Sequence, residues 1–297
     1  MNYGKNHVIK KQKELTSAKV SRKIGFSFFK VFLLCFLGLI VMAGCMGYGA
    51  IRGLIHSAPD ISNLSVAPSE SATYIYVNDQ PVQKLTAPTS NRTLVSIEDI
   101  PLDLQHAVVA IEDERFYTHH GIDIKGIARA AVIGITSGNF SEGASTITQQ
   151  LLKNNVFTDW MTETSLSDKF QRKFQEQYLA IQLEKKMSKE QILEDYLNTI
   201  NLGAGSYGVQ AAALRYFNKD VSELTLSESA VLAGITQNPT QYNPILYPEQ
   251  NAKRRKVVLD KMLAQEYISQ AEYDEALADD VYSRIQETDA VEEETSI

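Results

Sequence analysis

The sequence predicts a mainly α-helical protein, and three observations support this fold class. From residue 97 onward, apolar residues recur at helical spacing in one segment after another, and no segment has the pattern of parallel β-strands. Nearer the N-terminus, the run from residue 31 to residue 51 contains no charged residue. The β signal is short and lies between residues 73 and 85. We therefore expect one apolar helix followed by a helical domain.

The uncharged run is predicted to be a transmembrane helix. Its 21 residues match the roughly 20 apolar residues that cross a bilayer core as a helix. Residues 1–30 hold eight Lys and Arg and one acid, Glu14, and such positive flanks stay in the cytoplasm. The sequence therefore predicts a basic cytoplasmic segment at 1–30, a single transmembrane helix at 31–51, and an extracytoplasmic remainder.

Both cysteines, Cys35 and Cys45, lie in this apolar run. The rest of the chain therefore has no thiol, no disulfide and no Cys-based metal site. Residues 42–45, Met-Ala-Gly-Cys, also resemble a lipobox, which would place a lipid on Cys45. Methionine fits that motif poorly, and the apolar run continues past Cys45 to Ile51, so an uncleaved span is favoured.

The charge is divided unevenly along the chain. The whole chain carries −7 and the first thirty residues carry +7, so residues 31–297 carry −14. A domain this acidic is not expected to bind nucleic acid.

Residues 52–95 are predicted to form a stalk with a small β-hairpin. TYIYV at 73–77 and VQKL at 82–85 read as the strands, and the Asn-Asp-Gln-Pro sequence at 78–81 reads as the turn. A stalk here would set the height of the following domain above a bilayer.

The first predicted helix of that domain ends in two acids. Leu104, Val108 and Ile111 recur at i, i+4 and i+7, which places Glu112 at the edge of the apolar face and Asp113 roughly opposite. A carboxylate at an apolar edge loses hydration, which raises its pKa and suits a general base. The alternative is that Glu112 merely pairs with a nearby arginine at i+3.

The second predicted helix begins after Gly143. Ser145 or Thr146 can cap it, and Thr146 with Gln149 has the spacing of a capping box. A helix N-terminus behind a glycine offers free N–H groups to an anion such as a phosphate, and Lys153 lies two turns further on. The alternative is an ordinary cap with a surface lysine.

A third helix is predicted over residues 168–186. Its aromatic and apolar residues form one stripe, which consists of Phe170, Phe174, Tyr178 and Ile181. Arg172 and Glu176, at i and i+4, share a different face. Arg172 and Glu176 are either an exposed pair or, with Lys173, part of a site for a diphosphate and its metal ion. Between the second and third helices, residues 156–161 hold the sole tryptophan, which either dips into a membrane interface or lies in the core of the domain.

These elements together resemble the peptidoglycan glycosyltransferases of glycosyltransferase family 51, found in class A penicillin-binding proteins and monofunctional transglycosylases. The family's E-D-x-x-F-x-x-H-x-G-x-D pattern is met from Glu112 to Asp123, its G-x-S-T-I-T-Q-Q-x-x-K-N pattern from Gly143 to Asn154, and its R-K-x-x-E pattern from Arg172 to Glu176. Residues 192–219 and 226–244 match two later family blocks. One departure is the pair Gly143-Ala144, where many members have Gly-Gly, and it would matter if that position needed a positive φ.

The resemblance implies a lysozyme-like α fold over about residues 96–280, with a head and a smaller membrane-proximal jaw. It also implies that the enzyme polymerises lipid II onto a lipid-linked glycan with inversion, giving a β-1,4 bond and releasing polyprenyl diphosphate at a bacterial cell membrane. In family terms Glu112 is the general base, and Glu176 assists the leaving diphosphate directly or through Mg²⁺ or Mn²⁺; no organic cofactor is expected. The remaining predicted substrate contacts are Asp113, Phe116, His119, Ser145, Thr146, Gln149, Gln150, Lys153, Asn154, Arg172 and Lys173.

Two other functions remain open at this point. A glycan-cleaving lytic transglycosylase or muramidase would use one dominant acid and no diphosphate site, and a non-catalytic scaffold of cell-wall synthesis would use neither. Partners among other cell-wall synthesis proteins are also expected. These 297 residues contain no transpeptidase motif set, so the chain is either a monofunctional polymerase or the front of a bifunctional protein. Residues 281–297 are expected to be an acidic tail or an interdomain connection.

Overall fold

A computed structural model of the protein describes residues 4–60, 66, 73–77, 80–85, 93–138, 143–157, 160 and 163–286. For residues 18–25 and 27 and for the two strands it describes the backbone alone. The chain divides into two compact units, Met1–Ala58 and Pro59–Ile297. The described residues are mainly helical, which confirms the predicted fold class.

The first unit is a single long helix, α1 (Lys5–His56). Its part Phe28–His56 is 29 residues long, has a mean hydropathy of 2.4 and buries none of its apolar stretch within the protein. At a rise of about 1.5 Å per residue, this part is longer than the roughly 30 Å hydrocarbon core of a bilayer. The helix is therefore long and apolar enough to cross a membrane.

The second unit contains an antiparallel hairpin of β1 (Thr73–Val77) and β2 (Gln80–Leu85). The second strand begins at Gln80, two residues earlier than predicted, because Val77 pairs directly with Gln80. A bulge between Ile75 and Tyr76 interrupts the register next to Pro81, which cannot donate to a ladder. Residues 78 and 79 of the predicted turn lie outside the described residues.

The rest of the second unit consists of helices joined by short connections. Their bounds are α2 (Leu102–Glu112), α3 (Ile124–Ser137), α4 (Ile147–Asn155), α5 (Leu166–Leu183), α6 (Lys189–Thr199), α7 (Val209–Phe217), α8 (Leu226–Ile235), α9 (Pro248–Ala264) and α10 (Gln270–Ala278).

Helix α8 is the centre of one packed group. Its residues from Ser227 to Ile235 are all buried, and it packs against α2, α9 and α10. A helix that is apolar on every side is stable only when other elements surround it. Its one buried acid, Glu228, accepts hydrogen bonds from Lys219 and Arg284, so the buried charge is compensated.

The pairing of Arg284 with Glu228 extends the domain beyond residue 280, where a tail was predicted to begin. Val281 is buried, and Gln286 N donates to Tyr216 O at 2.9 Å. Residues 281–286 therefore belong to the packed domain, and residues 287–297 lie outside the described residues.

The second packed group is α4 with α5 and α6. The four residues of the predicted stripe lie on one face of α5, but Phe170 is exposed and the other three are half-buried. The buried residues of the helix are Gln175, Glu176, Leu179, Ala180 and Leu183. Glu176 can be buried because it forms ion pairs, so hydrophobicity is not the only cause of burial on this helix. Counting apolar residues along the helix therefore cannot identify it as buried.

Candidate active site

Glu112 ends α2, and two neutral donors hold its carboxylate. Thr236 Oγ1, just after α8, donates to Oε1 at 2.6 Å, and Gln150 Nε2 on α4 donates to Oε2 at 2.8 Å. The alternative pairing with Arg115 is not formed, because Arg115 binds Asp123. Among the described residues no cation lies within 4.0 Å of Glu112. The carboxylate is therefore fixed in direction but not neutralised by an ion pair.

Tyr196 on α6 orients the amide that holds Glu112. Its hydroxyl donates to Gln150 Oε1 at 3.1 Å, which leaves the Gln150 amide nitrogen directed at the carboxylate. Burial, together with the nearby Glu112 and Asp113, raises the pKa of Tyr196 well above its usual range. The hydroxyl therefore stays protonated and remains a donor.

Asp113 does not lie opposite the apolar face, as the helical pattern predicted. The helix ends at Glu112, and Asp113 has φ −153° and ψ 72°, so the rotation of 100° per residue no longer applies. Its buried Oδ2 accepts from Ile147 N and lies 2.9 Å from His119 Nε2. Asp113 therefore joins the end of α2 to the start of α4.

His119 lies inside a buried network of charged groups. Its Nε2 faces Asp113, and its Nδ1 lies 3.7 Å from Glu184 Oε1. Glu184 accepts from Thr148 Oγ1 at 2.6 Å and from Lys189 Nζ at 2.7 Å. Each buried charge thus has a partner, which is the condition for tolerating charges in a core.

The turn after α2 is packed tightly beneath α5. Phe116 has no exposed surface, so in this structure it contacts other protein groups alone. Gly121 has φ 89°, and a Cβ there would lie 2.5 Å from Ala180 C, so only glycine allows this approach. Gly121 O accepts from Thr146 Oγ1 at 2.8 Å, which ties the turn to α4.

The capping box predicted at the start of α4 is present. Thr146 Oγ1 accepts from Gln149 N, and Gln149 Oε1 accepts from Thr146 N. A phosphate was expected to accept hydrogen bonds from the free N–H groups at this helix end. The N–H of Ile147 is not free, because it donates to the carboxylate of Asp113. Ala144 is absent from the residues with positive φ, so the Ala in place of Gly imposes no backbone strain.

A cluster of cations lies around Glu176 on α5. Arg172 donates to both oxygens of Glu163 at 2.8 and 2.9 Å and also to Glu176. Lys173 Nζ donates to Glu176 Oε2 at 2.9 Å and to Ser145 Oγ at 2.8 Å. The Glu176 side chain is 1% exposed, while that of Lys173 is 40% exposed. The acid is therefore covered, and a cation faces outward.

Lys153 connects the two acids electrostatically. Burial lowers its pKa below the usual range, and Glu176 and, more weakly, Glu112 oppose that shift. Its ammonium lies 4.3 Å from the centre of the Trp160 ring, a cation–π contact. Among the described residues, no carboxylate lies within ion-pair distance of Lys153. Trp160, for which a membrane or core position was predicted, is half-buried and covers this lysine.

The structure brings most of the predicted site residues into one region but in two roles. The first group consists of charged residues and their hydrogen-bond partners: Glu112 with Gln150, Lys173 with Ser145 and Glu176, and Lys153, which interacts electrostatically with both acids. The buried groups Asp113, Phe116, His119, Thr146 and Gln149 contact the protein itself. Asn154 is half-buried on α4, beside Lys153 in sequence.

Sequence reasoning missed several described residues that contact the predicted site residues, among them Glu184 and Lys189, which lie beside His119. Thr236 was inside a recognised block, yet nothing local links it to a carboxylate 124 positions away. Tyr196 contacts Gln150, and Glu163 contacts Arg172. No periodic pattern in the sequence around Tyr196 or Glu163 indicates these contacts.

The described side chains do not form a ready metal site. No group of three or more His, Cys, Asp or Glu residues is arranged to hold an ion in the described part of the chain. Both oxygens of Glu176 accept from cationic side chains, which disfavours a divalent ion on the same oxygens. The described side chains alone therefore do not complete a site for Mg²⁺ or Mn²⁺, and the ion that was expected to bind through the substrate diphosphate stays a prediction.

Comparison with known proteins gives consistent matches. The family model described as Transglycosylase matches residues 78–263. Penicillin-binding protein 1A of Clostridium botulinum (strain Langeland) is 38% identical over 274 residues, covering 88% of this chain and 32% of that protein. Penicillin-binding protein 1F of Bacillus subtilis is 44% identical over 236 residues, covering 80% of this chain and 32% of that protein.

Two further matches involve penicillin-binding protein 1A. The Escherichia coli K12 protein is 39% identical over 248 residues, covering 84% of this chain and 28% of that protein. The crystal structure of the Haemophilus influenzae protein is 28% identical, covers 71% of this chain and 21% of that chain, and has a TM-score of 0.41. The chain thus spans about a third or less of the length of these relatives.

Proposed function

Because this chain belongs to the transglycosylase family, we propose that it is a peptidoglycan glycosyltransferase that extends a lipid-linked glycan with lipid II. The observation that carries the proposal is that α4 contacts both parts of the site. Its Gln150 holds the carboxylate of Glu112, which has no ion pair, and its Lys153 lies near the charged groups of α5. Gln150, which holds Glu112, and Lys153 are at i and i+3 on α4 and so share a face. A base and an anion site are thereby placed within one substrate's reach.

Glu112 is proposed as the general base. The attacking sugar hydroxyl must lose its proton as it bonds to the anomeric carbon of the donor, and a directed carboxylate without an ion pair can accept that proton. Attack from the face opposite the diphosphate inverts the anomeric centre, so an α-linked donor yields a β-1,4 bond. The hydrogen bonds from Thr236 and Gln150 hold the carboxylate in place during this transfer.

The leaving diphosphate is proposed to bind the cations. Arg172 shares its charge with Glu163 and Glu176, and Lys173 shares its charge with Glu176. Lys153, with its aromatic contact, retains the charge that a diphosphate can use. Cations placed where negative charge develops stabilise the transition state. A lytic enzyme that cleaves finished glycan would have no use for such a cluster.

Glu176 is proposed to act through its neighbours. Its side chain is covered, and both oxygens accept from Arg172 and Lys173, so it positions these cations and does not itself meet the substrate. This differs from the acid role that the family resemblance implies. The predicted divalent ion, like the predicted partners in cell-wall synthesis, stays a prediction, and no step here depends on it.

Membrane attachment is proposed to involve α1 and an exposed apolar face of the second unit. On α3, Ile124 and Ile135 are 71% and 75% exposed, and Val132 is exposed as well. Exposed apolar faces of this kind commonly mark contacts with membranes or partners. An enzyme that draws a lipid-linked substrate from a bilayer benefits from such a face.

Replacing Lys153 with alanine should weaken the binding of a phosphoglycolipid such as moenomycin, which mimics a lipid-linked diphosphate sugar. The variant loses a charge-assisted contact to the anion. Calorimetric titration of the detergent-solubilised protein measures the effect, and Lys253→Ala, an exposed lysine on α9, is the matched control. The lowered pKa of Lys153 means that its ammonium group loses its proton at a lower pH than that of an ordinary lysine. As the pH is raised, the affinity of the wild type should therefore begin to fall at a lower pH than it would with an ordinary lysine at this position.

The result that opposes the proposal is equally specific. Equal binding by wild type and Lys153→Ala would remove Lys153 from the diphosphate site. Cleavage of finished, lipid-free peptidoglycan, with neither phosphoglycolipid binding nor lipid II extension, would replace the polymerase by a lytic enzyme.

The topology can be tested in spheroplasts. Protease added from outside should digest the region after residue 56 and leave an N-terminal tag intact, because the basic residues before the apolar stretch stay cytoplasmic. Digestion of the tag from outside would overturn this orientation. Incorporation of radioactive palmitate that is lost in Cys45→Ser would favour the lipobox.

A further inference from the structure

An open cavity lies beside the segment that follows α8. Its volume is about 360 Å³, and it is lined by Asn238, Thr240, Gln241, Tyr247 and Gln250. All five residues are exposed, so a ligand can enter from solvent. The volume is at the small end of the range for ligand sites, about 300–1,000 Å³, and suits a group the size of a single sugar ring.

The lining is neutral and rich in hydrogen-bonding groups. Three amides can each donate and accept, the Thr240 hydroxyl can do both, and Tyr247 offers a ring face as well as a hydroxyl. Among the described residues, no side-chain partner is recorded for the amide of Gln250 or the hydroxyls of Thr240 and Tyr247. These groups are therefore free to bind a ligand in place of water.

Buried amides hold the segments that line the cavity by hydrogen bonds. Asn251, which is fully buried, donates to Val231 O at 3.3 Å and to Tyr242 O at 2.8 Å. Asn243 Oδ1 accepts from Ile245 N at 2.9 Å and Leu246 N at 3.2 Å, which fixes the turn leading to Tyr247. A site whose walls are ordered before binding loses less entropy when a ligand enters.

The cavity is tied to the candidate active site through one short segment. Thr236, which donates to Glu112, lies two residues before Asn238, and Asn238 N donates to Ile235 O at 3.2 Å. The segment that lines the cavity therefore begins two residues after Thr236, which contacts the proposed base. Its uncharged lining contrasts with the cations around Glu176, so it does not suit the diphosphate.

We propose that this cavity binds a neutral N-acetylated hexose ring of a glycan strand, as a subsite separate from the diphosphate site. The acetamido N–H and C=O pair with side-chain amides, hydroxyls pair with Thr240 and the remaining amides, and the apolar ring face packs on Tyr247. The choice of ligand class rests on the proposed glycosyl transfer.

The test is calorimetric titration of the full chain with chitotetraose, a lipid-free tetramer of β-1,4-linked N-acetylglucosamine. The detergent must be zwitterionic and free of sugar headgroups. Gln241→Ala combined with Gln250→Ala should weaken binding at least about 10-fold, and Tyr247→Ala should weaken it similarly. Gln270→Ala, an exposed amide on α10, is the matched control and should bind like the wild type. Cellotetraose, which lacks acetamido groups, should bind more weakly than chitotetraose.

The outcomes separate this inference from the proposed function. No binding of chitotetraose to the wild type, or equal binding by the cavity variants, would overturn the subsite. Equal binding of cellotetraose would overturn the preference for acetamido groups. Glu112→Gln and Lys153→Ala should keep wild-type affinity for chitotetraose, so loss of lipid II extension or of phosphoglycolipid binding bears on the proposed function alone.

Discussion

Replacing Glu112 with glutamine is expected to lower the rate of lipid II extension by about 10²–10⁴-fold, the contribution of one positioned general base. The amide keeps the shape of the side chain but cannot accept a proton from the sugar hydroxyl. Its oxygen can still accept from Thr236, and the Gln150 amide can turn because Tyr196 offers a hydroxyl that also accepts. The network therefore adjusts, and the fold should remain intact.

The measurement is a gel assay of glycan length and initial rate, with urea unfolding to confirm that stability is retained. Glu114→Gln is the matched control. Glu114 is an exposed acid two positions from Glu112 that pairs with Arg115, and the substitution removes the same charge. A wild-type rate for Glu112→Gln would show that another group is the base.

Replacing Glu176 with glutamine is expected to lower the rate by about 10²–10³-fold, comparable to the loss of one preorganised electrostatic contact. The buried carboxylate fixes Arg172 and Lys173 relative to each other, and an amide oxygen cannot hold both cations equally. Glu176 also raises the pKa of Lys153. Without it, that lysine loses its proton at lower pH, and the alkaline fall in activity should move to lower pH.

The pH profile of extension distinguishes positioning from direct acid catalysis. If Glu176 only donated a proton to the leaving group, Glu176→Gln would leave the alkaline limb set by Lys153 unchanged. Asp168→Asn, an exposed acid in the first turn of the same helix, should preserve both the rate and the profile. A near-wild-type rate with an unchanged profile would contradict the role proposed here.

Several elements could be predicted because their causes are local. The apolar spacing of Leu104, Val108 and Ile111 predicted α2, and the Thr146 to Gln149 spacing predicted the cap of α4. The uncharged run predicted a helix long enough to span a membrane. In each case the deciding contacts join residues within one or two helical turns.

The errors arose where local rules met long-range contacts. The helical projection of Asp113 failed because α2 ends one residue earlier and Ile147 N, 34 positions away, captures its carboxylate. The apolar stripe on α5 did not identify the residues that this helix buries, because Glu176 is buried where it pairs with Arg172 and Lys173. A pattern of hydrophobicity contains no record of such pairings.

The sequence by itself determined the helical class, the candidate membrane helix, the capped α4 and the identities of the acids and cations, because residue type and near-neighbour spacing decide these features. The tertiary structure decided which carboxylate is open and which is covered. It brought Thr236 to Glu112 and Trp160 to Lys153, and it formed the neutral cavity at Asn238 to Gln250. The contact of Thr236 with Glu112 joins segments 124 residues apart, and the other two features depend on how loops fold back, so a helical or strand pattern could determine none of them.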